Sequence, residues 1–212
     1  PYRRQRQMCI RDSGTGVGSG IIINGQLVYG HDGFAGELGH MIVKRNNGRL
    51  CACGRSGCLE TYCSATGVAR TAREYLELTD TPSLLRDIPS DEITSKDVYD
   101  AAVNGDKLAN DVFTFTGTVL GEALADFTVF SAPEAFILFG GLAKAGDLLL
   151  KPVREAMEKN MLSIWKGKVK VILSELKEAD AAVLGASALG WEAKPVVTPE
   201  VIATPASVEI TK

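Results

Sequence analysis

The chain has 212 residues, 45% of them hydrophobic, enough for one sizeable core. With 23 Lys and Arg against 26 Asp and Glu the formal net charge is -3, so neither nucleic acid nor an anionic membrane surface is expected as a partner. Apolar runs such as residues 135–139 are too short to span a bilayer, and the basic start over residues 1–6 leads into no apolar signal core. The expected location is therefore cytoplasmic, where a disulfide framework is disfavoured.

In chain order, residues 1–13, PYRRQRQMCIRDS, are polar, basic and aperiodic where the glycines that follow call for a buried strand. They are expected to be a non-native leader and, with Cys9, are set aside from the functional reading. From Gly14 onward the pattern is that of an α/β domain. Residues 19–23 and 26–29 flank Asn24-Gly25, a pair suited to a type I′ turn, so a β-hairpin is predicted. A glycine-rich loop over 30–39 then leads to a short strand at 41–43. Helical spacing predicts helices over 64–78, from Thr94 or Ser95, and over 106–130, 147–162 and 179–191. Thr94 with Asp97 has the form of a capping box. Strands are predicted at 135–139, ending in Gly140-Gly141, and at 168–173. The domain is drawn over 14–192 as layered α/β with a mixed sheet flanked by helices, and 193–212, rich in proline, as a flexible tail.

Cys51, Cys53, Cys58 and Cys63, four of the 5 cysteines, crowd into the stretch RLCACGRSGCLETYC. Gly54 and Gly57 allow the backbone to fold back sharply, so that Cys51, Cys53 and Cys58 can converge on one point. Zinc wants four tetrahedral sulfur or nitrogen ligands, and the fourth must be Cys63 or His40. In a helix Cys63 would be turned roughly 140° away from Cys58. His40, at the end of the glycine loop, is the expected ligand; the competing reading is a set of free core cysteines.

Residues 14–20, GTGVGSG, superficially match a dinucleotide fingerprint, but that fingerprint must open a helix and these glycines run into a hairpin. The Gly14 and Gly16 amides and the Thr15 hydroxyl can still meet a phosphate, and Gly140-Gly141 at a strand's carboxyl end is a second candidate. Tight packing explains either cluster equally well. Glu37 in GFAGELGH and Glu60 after CL would be drawn together if His40 joins the cysteines. Two carboxylates and an imidazole suit a ligand rich in hydroxyls, such as a sugar. Against this stand a solvated loop charge for Glu37 and helix-dipole stabilisation for Glu60. His31 is expected to be a partnerless surface residue.

Taken together, GTGVGSG, GFAGELGHM, CACGRSGCLE and ILFGGLAKAGD resemble, in order and spacing, the ROK family of repressors, open reading frames and sugar kinases. The resemblance implies an actin-like, ribonuclease-H-like ATPase fold of two domains, with ATP and a sugar in the cleft between them. It implies structural zinc on His40, Cys51, Cys53 and Cys58, with the sugar hydroxyls on Glu37, His40 and Glu60. ATP, with Mg2+, would meet Gly14, Thr15 and Gly16 through its phosphates and Gly140 and Gly141 near the adenosine. The implied reaction is ATP-dependent phosphorylation of a hexose, glucose first, in a homodimer when intact. A preceding domain with a DxGGT phosphate loop and an Asn-Asp motif belongs to the family pattern and is not in these residues. The chain is thus expected to be the larger C-terminal part of its parent, inactive alone and without the catalytic aspartate. Two other readings stand beside it: the sugar-sensing domain of a repressor of this family, and a zinc-stabilised interaction module with no small ligand.

Overall fold

Hydrogen-bonded strands build one mixed sheet in a computed structural model that describes residues 6–12, 16–176, 180 and 183–188. Its strands are β1 (Arg6–Asp12), β2 (Val17–Ile23), β3 (Gln26–Leu27), β4 (Ala135–Gly140) and β5 (Lys170–Leu173). The order across the sheet is β3-β2-β1-β4-β5. β1 runs antiparallel to β2 and parallel to β4, and β4 runs parallel to β5. Asn24 (φ 55°) and Gly25 (φ 78°) adopt the left-handed pair of a type I′ turn, which sets Ile23 opposite Gln26 as the hairpin requires.

Residues 6–12, set aside with the leader, form the central strand, because a ladder is made by backbone groups whatever the side chains. At the other end the chain divides into two units, Pro1–Glu175 and Leu176–Lys212. In the second unit residues 180 and 183–188 are helical, and Val183 and Leu184 are more than half exposed. The proposed tail over 193–212 lies outside the described residues.

Among the described residues of the first unit, the sheet is accompanied by α1 (Glu60–Cys63), α2 (Ala65–Leu78), α3 (Ser95–Val103), α4 (Lys107–Ser131) and α5 (Asp147–Asn160). The starts of α2, α3 and α4 have side-chain caps. Ser64 accepts the Gly67 amide at 3.1 Å, and Thr94 and Asp97 form the capping box. Asp106 caps α4 through Ala109 and also takes the Leu84 amide at 2.6 Å. Burial pushes the Asp106 carboxyl up, but these amides outweigh it and hold its pKa below the ordinary value. Lys107–Ser131 is long and apolar enough to cross a bilayer by length and composition, unlike the short runs weighed from the sequence. Its apolar positions are instead spent on the core, where Val112, Phe113 and Leu124 join Phe136 of the sheet and Val153 and Met157 of α5. Each such side chain contributes about 1.5–3 kcal/mol on burial.

A cysteine–histidine cluster beside the sheet end

Glycines dock the loop over 30–40 onto β2. Gly36 has φ +97°, and a Cβ there would lie 2.9 Å from the Ser19 carbonyl, while one on Gly39 would collide with the Val17 carbonyl. The Ser19 hydroxyl donates to the Gly36 carbonyl and accepts the Leu38 amide at 3.2 Å. Held so, the loop ends in a short 3-10 turn, Leu38–His40. The strand predicted at 41–43 is only a single bridge, Ile42 to Cys58, because Gly57 (φ +85°) turns the partner chain away. A second bridge joins Leu50 to Ser56, and Cys51 donates its amide to Arg55 at 2.8 Å.

These two small ladders gather four donor atoms, from His40, Cys51, Cys53 and Cys58, all within 4.8 Å of one another. Cys51 Sγ lies 3.7 Å from His40 Nδ1, and the Cys53 and Cys58 sulfurs are 3.6 Å apart. That is far beyond a disulfide bond of about 2.05 Å. It matches the edge of a tetrahedron around zinc, about 3.8 Å for Zn–S bonds of about 2.3 Å. Donor type and spacing therefore both fit zinc. Cys63 faces elsewhere: its buried thiol points to the Thr116 carbonyl of α4 at 3.6 Å.

The thiols differ sharply. Backbone and guanidinium hydrogen bonds from Arg55 bring exposed Cys53 down to about 6, whereas burial, then the Cys53 and Cys51 sulfurs, push Cys58 up to about 12. A divalent cation at the centre would favour all three thiolates together. Arg55 also donates to the His40 carbonyl at 2.8 Å, steadying the histidine from outside.

Glu60 opens α1, and its carboxylate does more than face a helix dipole. Oε2 accepts the Val17 amide at 3.0 Å and Oε1 lies 3.8 Å from Cys51 Sγ, so it joins the start of β2 to the cluster. Glu37 is exposed; its carbonyl accepts the His40 amide at 3.2 Å, and its carboxylate makes no hydrogen bond or ion pair among the described residues. A cavity of about 360 Å³ is lined by Cys51, Glu60, Thr61, Thr66, Arg70 and Arg73, within the size range of small-molecule pockets. Glu37 and His40 do not line it. His31, expected to have no partner, pairs with Asp32 at 2.7 Å on the surface.

Among the phosphate candidates, Gly14 and Thr15 lie outside the described residues. Gly16 immediately precedes β2, and the register sets Val17 and Gly140 on either side of Asp12. Two strand spacings, about 9.6 Å, separate them. Gly16 and Gly140 therefore lie at one end of the sheet, outside the carboxyl ends of β1 and β4, where α/β domains place ligands. Sequence reasoning missed Arg49. It is buried inside the cysteine loop, and nothing in its immediate surroundings in sequence marks it, because its acceptors Thr71 and Glu74 lie on α2.

The sheet order, with Gly16 and Gly140 at one sheet end, and the cysteine–histidine cluster linked to it through Glu60 define an actin-like, ribonuclease-H-like α/β domain with a candidate metal loop of its own. The chain belongs to the ROK family, whose profile matches residues 4–193. It is 38% identical over 190 residues to a glucokinase of Halalkalibacterium halodurans, covering 89% of this chain and 56% of that protein. It is 31% identical to the transcriptional dual regulator NagC of Escherichia coli, covering 82% of this chain and 41% of NagC. A ROK glucokinase from Streptomyces griseus, solved with glucose and AMPPNP, superposes with a TM-score of 0.79 at 34% identity, covering 91% of this chain and 62% of that one. The chain thus spans about half the length of the curated relatives it matches.

Proposed function

We propose that this chain is the larger, C-terminal part of an ATP-dependent hexose kinase that converts glucose to glucose 6-phosphate in the cytoplasm, as a homodimer. The observation that carries the reading is Glu60, bonded to Val17 and 3.8 Å from Cys51 Sγ, at the sheet end where Gly16 and Gly140 also lie. Zinc on His40, Cys51, Cys53 and Cys58 would be structural. With Nδ1 toward the cluster, His40 keeps Nε2 for a sugar hydroxyl beside Glu37 and Glu60. Charged acceptors of this kind contribute about 1.5–3 kcal/mol per hydrogen bond. ATP, with Mg2+ on its phosphates, would sit against Gly14, Thr15 and Gly16 and against Gly140-Gly141. Phosphoryl transfer then depends mainly on positioning and charge stabilisation. The base that takes the proton of the attacking hydroxyl is assigned to none of the described residues, and the 212-residue chain alone is proposed to be inactive.

The test is a coupled glucose 6-phosphate assay on the natural full-length protein that carries this sequence. Glu60→Gln is expected to raise the KM for glucose at least about tenfold while the KM for ATP stays within about twofold. A parallel rise in both would mean damaged folding rather than a lost sugar contact. The similarity to NagC supports a second reading, a sugar-sensing repressor domain. Sugar binding by the full-length protein without any glucose-dependent release of ADP would favour it.

A further inference from the structure

We propose that Arg49 is a positioning residue for the metal centre and for Glu60, a buried guanidinium that ties the cysteine loop to α1 and α2; this rests on the zinc reading above. Its side chain is 6% exposed, and its guanidinium is held by directed hydrogen bonds. Nη1 donates to the carbonyls of Thr61 at 2.8 Å and Gly67 at 3.3 Å. Nη2 donates to the Thr71 hydroxyl at 2.8 Å and to Glu74 Oε2 at 2.6 Å. The guanidinium also lies over the Tyr62 ring, 4.5 Å from its centroid. Its main chain is engaged too: the amide donates to the Tyr62 hydroxyl at 3.1 Å, and the carbonyl accepts the Gly57 amide at 2.8 Å.

The sequence positions of these partners carry the argument. Gly57 immediately precedes Cys58, Thr61 immediately follows Glu60, and Arg49 itself stands two residues before Cys51. One residue therefore bonds the direct neighbours of one candidate ligand, Cys58, and of the candidate sugar carboxylate, and stands two positions before a second ligand, Cys51. On the far side, Gly67, Thr71 and Glu74 lie on one face of α2, giving the fork a rigid wall to brace against. A buried cation is tolerated only with a partner. Burial raises the Glu74 carboxyl, but bonds and charge from Arg49 and then Arg70 outweigh it, so Glu74 stays ionised. A lysine has a point charge and no planar fork, so it could not hold these acceptors together.

The experiment measures zinc affinity of the full 212-residue chain by chelator competition, together with the absorption spectrum of its cobalt-loaded form. Four variants are compared with the unmodified chain: Arg49→Lys, Thr71→Val, Glu74→Gln, and Met157→Ala as a core-truncation control on α5, outside the cysteine loop. Arg49→Lys is expected to weaken zinc about 10- to 100-fold and to shift the cobalt bands. Thr71→Val and Glu74→Gln should weaken zinc severalfold, and they decide the matter if Arg49→Lys fails to fold. Met157→Ala should keep full affinity and spectrum at an equal or greater loss of Tm. Unchanged zinc affinity in the Arg49, Thr71 and Glu74 variants, or an equal loss in the control, would overturn the proposal. An unmodified chain that binds no zinc would instead overturn the metal reading beneath it.

Discussion

Cys58 and Cys63 are five residues apart, yet their sulfurs serve different structures. Cys58 turns into the cluster of His40, Cys51 and Cys53, while Cys63, in the single turn of α1, points to the Thr116 carbonyl inside the core. Replacing Cys63 should therefore leave the metal in place. We expect Cys63→Ser to retain one zinc per chain by elemental analysis and to change stability by about 1 kcal/mol, since a hydroxyl can still donate to Thr116. His40→Ala, by contrast, should lower the zinc content. Metal loss in Cys63→Ser with His40→Ala unaffected would exchange the two residues in the ligand set.

At the scale of elements, α4 and α5 approach more closely than side chains allow. Gly117 faces Pro152, whose Cγ would lie 2.6 Å from an added Cβ, and Gly121 faces Ala156, whose Cβ would lie 2.8 Å away. Helix propensity favours Ala over Gly by about 1 kcal/mol. Overpacking a close contact costs about 1–3 kcal/mol. Packing wins here, because the Cβ on Gly121 would also run into the Val153 carbonyl, which cannot rotate away. Gly121→Ala is thus expected to lower Tm in a thermal melt, against its propensity; a higher Tm would show that the two helices can slide apart at no cost. The same logic explains why a helix long and apolar enough for a membrane is largely buried within the domain: its apolar faces are occupied by α5 and the sheet.

For the whole molecule, the cysteine loop is a local structure stapled to a larger core. Its bridges are single pairs, and its strongest fastenings are the proposed metal, Glu60 on Val17 and the Arg49 fork. Structural zinc is worth about 10–16 kcal/mol in small peptides. Chelation should accordingly loosen residues 40–60 first and leave α4 and α5 protected. Hydrogen exchange with and without chelator reads this directly. Uniform loss of protection would mean that the metal holds the entire fold, and no change at all would mean that it holds nothing.

Much of this was legible in the sequence because it is written in short-range chemistry. The Asn24-Gly25 turn, the Thr94 and Asp97 capping box, the helix 106–130 to within a residue, and the CxCGxxGC spacing each depend on neighbours a few positions apart. Less legible were features made by backbone alone or by distant partners. Polar residues 6–12 pair as a central strand because ladders do not depend on side-chain polarity, and the strand at 41–43 shrank to one bridge because Gly57 bends its partner. By itself the sequence determined the main helices, the hairpin and the candidate metal-type donors, since periodicity, turn chemistry and donor type are local properties. Only the tertiary structure decided that Glu60 bonds β2, that Gly16 and Gly140 share one end of the sheet, and that Arg49 spans the cysteine loop and α2. Those contacts join residues 12 to more than 100 positions apart, and only the packed backbone brings such partners within a hydrogen bond's reach.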